Sequence, residues 1–330
     1  MKDFCIVGSG IAGSTIANLL SKKYSVEIFD KARGPGGRAS NRRYKDNLSF
    51  DHGLQYLTPG SSKFKKFVLN LKKKNILKEW LGNHLDFTFA QKKKSTKYIG
   101  VKGNNDICKY LLKNIKSSFL SEVTNIRFNS NYWTIILNNR HKVYFKNLIL
   151  TCPFPQLKKL SNKYINKKML DINPKMVPNI TIISAYKKNK QIPISTIKFN
   201  DPVIAWASQE NTKDRFKSKE VLWTIQCTEK FSRQAINFFK INRNKYEHLI
   251  LKKFQELTGY RTKDVIYKNI HGWRYAYKKP ETSELESFWS NTHQLGVCAD
   301  WFCGNKAEDA WLSANNLFFK IKKNLLRKTK

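Results

Sequence analysis

Acidic residues are scarce in this chain: Asp and Glu number 24 against 62 Lys and Arg, a formal net charge of +38 over 330 residues. Such an excess attracts anions, whether nucleic acid, a membrane surface or an anionic small molecule. The lysines are spread along the whole chain, however. Short runs such as Lys72-Lys73-Lys74 and Lys92-Lys93-Lys94 read as solvated faces, and no nucleic-acid module is recognisable. A nucleic-acid footprint would cluster, so the charge reads as compositional bias whose one use is to draw in an anionic substrate. Long apolar runs are missing too, which argues against a spanning helix, since that needs about 18 or more such residues. Lys2 followed by Phe4-Cys5-Ile6-Val7 has the look of a secretory leader, but Gly8, Gly10 and Gly13 interrupt it. The segment reads instead as a buried strand, and the cytoplasm is the expected compartment, with no membrane contact. None of the six cysteines (Cys5, Cys108, Cys152, Cys227, Cys298, Cys303) has C-x-x-C spacing or a histidine cluster beside it. They read as buried free thiols, and no metal site is expected.

What is present is a set of apolar runs and stripes of the right length for an α/β protein. Residues 3–7 suit a parallel strand buried on both faces. Ala12, Ile16, Leu19 and Leu20 form a helical stripe, and Ser25–Asp30 reads as a second strand, so the first thirty residues make a βαβ unit. The pattern predicts helices over 63–81, around 104–120, over 246–257 and from Ala307 through Leu325. A hairpin turns at Asn138-Asn139-Arg140 between 132–137 and 142–145. Strands are expected at 148–152, 179–186, 203–208, 221–227 and 294–299. There is no repeat and no low-complexity linker, so two parts that exchange the chain are expected.

The chemistry begins at Gly8, Gly10 and Gly13, a G-x-G-x-x-G pattern after a strand and at the start of a helix. Gly8 permits the tight turn, Gly10 lets backbone approach a pyrophosphate, and Gly13 lets helix pack on strand. Backbone N–H groups from Gly10 through Ile11 and Ala12, with the helix dipole, suit phosphate. Asp30 follows Gly13 by seventeen positions, at the end of the next strand, and can accept from ribose hydroxyls. This much leaves NAD and FAD both open.

The next residues narrow the choice. Asp30-Lys31-Ala32-Arg33-Gly34-Pro35-Gly36-Gly37-Arg38 resembles the second signature of glutathione-reductase-like flavoproteins of amine-oxidase type. The resemblance implies that Lys31, Gly36, Gly37 and Arg38 wrap the adenosine-diphosphate end of a non-covalent FAD. Phe50-Asp51-His52-Gly53-Leu54-Gln55-Tyr56 resembles the segment beside the flavin ring, which points to His52, Gly53 and Gln55. Leu295–Trp301 and Lys306–Ser313 resemble the closing motif, which adds Asp300, Glu308 and Ala310, with Ala299 and Ala314 where glycines are common. Val123 is implied as a further FAD contact. Tyr98–Gly103, Leu150–Gln156 and His271-Gly272-Trp273-Arg274-Tyr275-Ala276 extend the likeness to the renalase-like branch over nearly the whole chain. It implies a Rossmann-type FAD-binding domain (1–58, 99–160 and 286–330) with an inserted α+β substrate domain (59–98 and 161–285) built on a mixed sheet.

The branch implies oxidation of reduced nicotinamide dinucleotides, NAD(P)H or its isomers, with oxygen as electron acceptor. The residues fit that chemistry independently. A dihydropyridine loses hydride by aromatising and needs no general base, and no nucleophile–base pair is evident in the sequence. Trp206, Trp273 and Tyr275 are candidate aromatic walls of the substrate site, and Arg274 is the candidate anion contact. An amine oxidase or desaturase of the same fold, and a basic binding protein that keeps FAD as a structural element, are the alternatives.

Overall fold

A computed structural model describes residues 1–45, 47–86, 96–187, 194–279 and 284–328. The Lys92–Lys94 run lies outside them. Two sheets organise the chain. The first has eight strands and a parallel centre. Strand Lys2–Val7 lies between His141–Leu150 and Val26–Phe29, Lys116–Ser118 extends one side, and Leu295–Val297 pairs in parallel with 148–150 on the other. A sheet of this kind is covered on both faces, and strict alternation shows it. Phe4, Ile6, Ile28 and Ile149 pack under helix Ile11–Leu20 (through Ile16 and Leu20) and helix Ala307–Lys328 (through Ala314, Leu317 and Ile321). Cys5, Leu148 and Leu150 point the other way, into a core with Trp133 and Trp301. The predicted hairpin is present as Tyr132–Leu137 and His141–Leu150, with Asn138 and Asn139 at φ 50° and 61°.

The second sheet is mixed. Its order is 265–278, 176–186, 221–227, 204–209, 194–198 and 83–85, antiparallel except for the last pair. Helices Glu229–Ala235 and Arg243–Thr258 cover its outer face through Ala235, Ile250, Leu251 and Phe254. On the inner face Ile183, Ala185 and Leu222 close on Leu48 and Phe50. The second sheet therefore packs on strand Leu48–Asp51, which pairs with Asn41–Lys45 and leads straight into the 52–56 motif.

Two expected helices are shorter than the stripe implied. The first runs only from Ser62 to Lys73, with Ser61 as N-cap; Asn75 then takes φ 55° and the chain re-enters as strand Leu77–Glu79. The second covers Asp106–Leu111, after which Lys116–Ser118 pairs with Glu27–Phe29. In both cases strand pairing overrides an apolar spacing that suits either period. The thiols also differ from expectation: Cys5, Cys108, Cys227 and Cys298 are buried, Cys152 is half-buried, and Cys303 is exposed.

Candidate functional site

The two glycine turns touch. Gly36 N–H donates to Ser9 O at 3.0 Å, and a Cβ on Gly37 would stand 3.2 Å from Gly10 Cα. Gly36 and Gly37 sit at φ 136° and 53°, where side chains are strained. A Cβ on Gly13 would collide with the Gly8 carbonyl, so helix and strand approach as closely as backbone allows. Gly10 differs: its Cβ position meets nothing nearer than Gly36 O at 3.9 Å and Gly37 Cα at 4.0 Å. Gly10 is also the N-cap of Ile11–Leu20 and supplies no side-chain acceptor to the first-turn amides. The result is an open cradle walled by glycine backbone at the positive end of a ten-residue helix.

Asp30 stands beside this cradle. Its Oδ2 accepts from Ser9 N–H (2.7 Å) and Ser9 Oγ (2.6 Å), and its Oδ1 accepts from Ala32 N–H (2.8 Å). A carboxylate offers about four lone-pair sites, so one on Oδ1 remains. Lys31 is exposed, 3.9 Å from Glu122. Arg38 reaches across the chain to Asp300 in a fork, Nη1 to Oδ2 at 2.8 Å and Nη2 to Oδ1 at 2.5 Å, and also donates to Ala276 O. The guanidinium expected to face a pyrophosphate is thus matched by the carboxylate of the closing motif. Ala299 has φ −164°, extended backbone that alanine adopts freely, so the missing glycine costs nothing. Glu308 accepts from Gly60 N–H (2.6 Å) and Ser61 N–H (2.7 Å), which ties two helix N-termini together. Val123 and Ala310 are buried in the flanking cores.

The 52–56 segment lies along a row of the second sheet. Register pairs His271 with Thr181, Thr181 with Gln226, and Gln226 with Trp206. Strands are about 4.8 Å apart, so the row spans roughly 14 Å. Gln226 Nε2 donates to Gly53 O at 3.0 Å, fixing the row to the motif. At one end Trp273 Nε1 donates to His52 O at 3.0 Å, and the rings of His52, His271 and Trp273 pack with centroids 4.3–5.2 Å apart. At the other end Tyr56 meets Trp80 (6.1 Å), His84 (6.5 Å) and Trp206 (6.5 Å). Burial, then His271 and Arg42, pushes His52 down to about 4; burial, then Arg42 and Lys240, does the same to His271. Both rings are neutral at pH 7, and the buried His52 Nδ1 has no partner among the described residues.

Beneath the motif is a feature that no spacing announced. Asp51, Glu210, Lys213 and Arg215 form a dry ion cluster with side chains 0–2% exposed. Lys213 Nζ lies 2.9 Å from Asp51 Oδ2, Glu210 Oε1 and Gln55 Oε1, and 5.2 Å over the Trp80 ring. Arg215 Nη1 lies 2.5 Å from Asp51 Oδ2. Burial raises Asp51, but Arg215 and Lys213 more than reverse it and hold the carboxyl well below the usual range. Burial wins at Glu210, which is pushed up. Gln55 is absorbed here: its amide oxygen accepts from Lys213 and from Ser208 Oγ at 2.9 Å, and its Nε2 donates to Asp51 O.

Most of the expected residues converge, then, but Lys31, Val123, Ala310 and Arg274 stand apart. Arg274 is exposed and donates to Asn237 Oδ1 at 2.8 Å on the outer side of its strand. The cause is alternation along the strand: His271 and Trp273 face the row in unbroken register with Thr181 and Asn179, so Gly272 and Arg274 face out. A bulge follows past Trp273, where Tyr277 pairs with Val177 and three residues oppose Pro178, which has no N–H to offer a ladder. The bulge contains Ala276, whose carbonyl accepts from Arg38, and the half-buried Tyr275. Arg274 therefore does not join Trp206 and Trp273 as an anion contact.

The Rossmann-like unit, the second mixed sheet and their joint at 48–56 together define the fold of amine-oxidase-type flavoproteins. Residues 6–71 match the model of the NAD(P)-binding Rossmann-like domain family. In sequence the chain is distantly similar to mouse (Mus musculus) renalase, 27% identical over 177 residues that cover 50% of this chain and 51% of that protein. The chain thus spans about half the length of the curated relatives it matches. In structure it resembles a putative protoporphyrinogen oxidase from Exiguobacterium sp. (TM-score 0.73, 10% identity, 98% of this chain and 99% of that one). It also resembles putrescine oxidase bound to putrescine (TM-score 0.69, 10% identity, 99% of both chains).

Proposed function

We propose that the chain is an FAD-dependent oxidoreductase of renalase-like type, taking a hydride from a reduced nicotinamide or a related planar ring and passing the electrons to oxygen. The observation that carries this reading is the pair of glycine turns in contact around open space at Gly10. Such a cradle admits a pyrophosphate and leaves room for little else. Gly8, Gly10, Ile11, Ala12, Gly13, Gly36 and Gly37 would hold the diphosphate, Asp30 and Lys31 the adenosine side, and Val123 the adenine side. His52, Gly53 and Gln55 would stand by the flavin ring, with Asp300, Glu308 and Ala310 closing it. FAD, when bound, supplies the hydride acceptor. In this reading Arg38 and Asp300 hold each other, and so clamp both ends of the chain onto one site. The cofactor part comprises 1–58, 99–160 and 286–330, and the substrate part 59–98 and 161–285.

The substrate class follows from charge. The row from His271 to Trp206 is uncharged, and its histidines are neutral at pH 7. Among the described residues, the nearby acids Asp51, Glu210 and Asp300 are committed to Lys213, Arg215 and Arg38. A protonated amine would find no counter-ion there. A planar ring finds aromatic walls in Trp273 and Trp206, and a dihydropyridine leaves no substrate proton to be removed. The test is anaerobic titration of the purified protein with 2- and 6-dihydro-NAD(P) and with primary amines and polyamines. Bleaching by the dihydropyridines is expected. Bleaching by amines alone would move the assignment to amine oxidation, and a colourless preparation that takes up no FAD would end the cofactor assignment.

A further inference from the structure

Between Glu229 and Glu247 the chain carries Lys230, Arg233, Lys240, Arg243 and Lys245 and no acid. The middle of this stretch is a knuckle of consecutive tight turns. Phe239 N–H donates to Ala235 O (2.9 Å), and Ile241 and Asn242 N–H both donate to Phe238 O (3.1 and 3.0 Å). Residues three apart in such turns share a side. Ile236 and Phe239 face inward and pack on Gly272, where any Cβ would collide with both. Phe238 and Ile241 face outward and are 54% and 82% exposed. Exposed Lys240 and Lys245 flank them, Arg243 lies beside them paired with Glu247 at 2.8 Å, and Arg274 joins the rim through Asn237.

Two outward apolar side chains within a cationic ring are too small an area for a lasting protein interface, which needs about 800 Å² per partner. A nucleic-acid backbone would use the cations but has no place for Phe238 and Ile241. An anionic bilayer surface accommodates both: headgroups meet the lysines and arginines while the apolar tips enter the acyl boundary. We propose that the Phe238–Ile241 knuckle docks the protein peripherally on an anionic lipid surface. No helix among the described residues is long and apolar enough to cross a membrane, so the contact is one of adsorption. Such docking would qualify the expectation of no membrane contact. The rigid backing is notable: Gly272, under the knuckle, lies between His271 and Trp273, so docking would seat the outer wall of the candidate substrate row against the lipid.

The test is co-sedimentation of the full chain with phosphatidylcholine vesicles, with and without phosphatidylglycerol, at physiological salt. Binding is expected only with phosphatidylglycerol. Because the whole protein is basic, the deciding variant keeps every charge: Phe238→Ala/Ile241→Ala should weaken partitioning by about tenfold or more, with thermal melting unchanged. Ile241→Ser alone, at the more exposed position, should give a smaller loss in the same direction. Equal binding by parent and double variant would overturn the proposal, and so would retention on heparin without vesicle binding.

Discussion

Replacing Lys213 by Met tests whether the dry ion cluster holds strand Leu48–Asp51 to the 210–215 segment. The ammonium makes three 2.9 Å contacts, to Asp51, Gln55 and Glu210, with its side chain 0% exposed. Methionine keeps the length of the stem but leaves two carboxylates to share Arg215. Breaking a buried pair in this way costs about 3–5 kcal/mol. Unfolding entropy of about 2.1 cal/mol/K per residue gives roughly 0.7 kcal/mol/K for a chain of 330 residues. The melting temperature should therefore fall by about 4–7 °C. Glu210→Gln on the Lys213→Met background restores charge balance, leaving Asp51 with Arg215. The double variant should be more stable than the sum of the single losses implies, by about 1–3 kcal/mol. Glu210 is already pushed up by burial, and a group with a raised folded-state pKa favours the fold as pH falls. The deficit of Lys213→Met should thus shrink between pH 7 and pH 5.5. Scanning fluorimetry and urea denaturation at the two pH values measure all of this. A shift under about 2 °C for Lys213→Met, or strict additivity in the double variant, would refute the reasoning.

Gly10→Val should abolish flavin retention while leaving the fold, because its side chain would enter the open cradle; a variant that purifies yellow contradicts the placement. His52 and His271 are held down to about 4 against an ordinary 6.5, so the unfolded chain takes up protons first as pH falls. The stability they protect is whole above about pH 6.5 and is lost toward pH 4. It amounts to up to about 3 kcal/mol for His52 and less for the half-buried His271. His52→Gln should flatten the fall measured by urea denaturation between pH 7 and 5, and an unchanged slope counts against neutral burial. Glu308→Ala removes acceptors from Gly60 and Ser61 N–H and should cost about 1–3 kcal/mol, read as a lower thermal midpoint.

The βαβ unit, the hairpin and the closing helix were legible because each depends on local signals: glycines at fixed offsets, paired asparagines at a turn, a stripe of period 3.6. Helix lengths were not, because the pairing of Lys116–Ser118 with Glu27–Phe29 is a long-range fact. The motif residues at 8–13, 36–38, 52–53 and 300 are brought to one region, as their spacing and the family likeness implied. Arg274 was misplaced because successive strand residues face opposite ways: with Trp273 on the row, Arg274 turns outward. The ion cluster was invisible for a different reason. Lys213 and Arg215 are two cations among 62, and nothing in a lysine-rich sequence distinguishes the one that is dry. A weak signal did exist: Glu210 and Asp214 lie beside them in a chain where acids are rare.

The fork between Arg38 and Asp300 joins residues 262 positions apart, and strand Lys2–Val7 acquires its neighbour His141–Leu150 only after a long stretch of other chain. Synthesis runs from the first to the last. Throughout most of translation the nascent chain carries its glycine turns and an unmatched Arg38, with no Asp300 to meet and no final helix to cover Ile16 and Leu20. Closing such long loops is slow. The glycine turns are made well before strand Leu295–Val297 and helix Ala307–Lys328, so the region they share is completed late. A cofactor present at that moment would bind a protein still in the act of folding, and its supply would set the yield of folded product as well as activity.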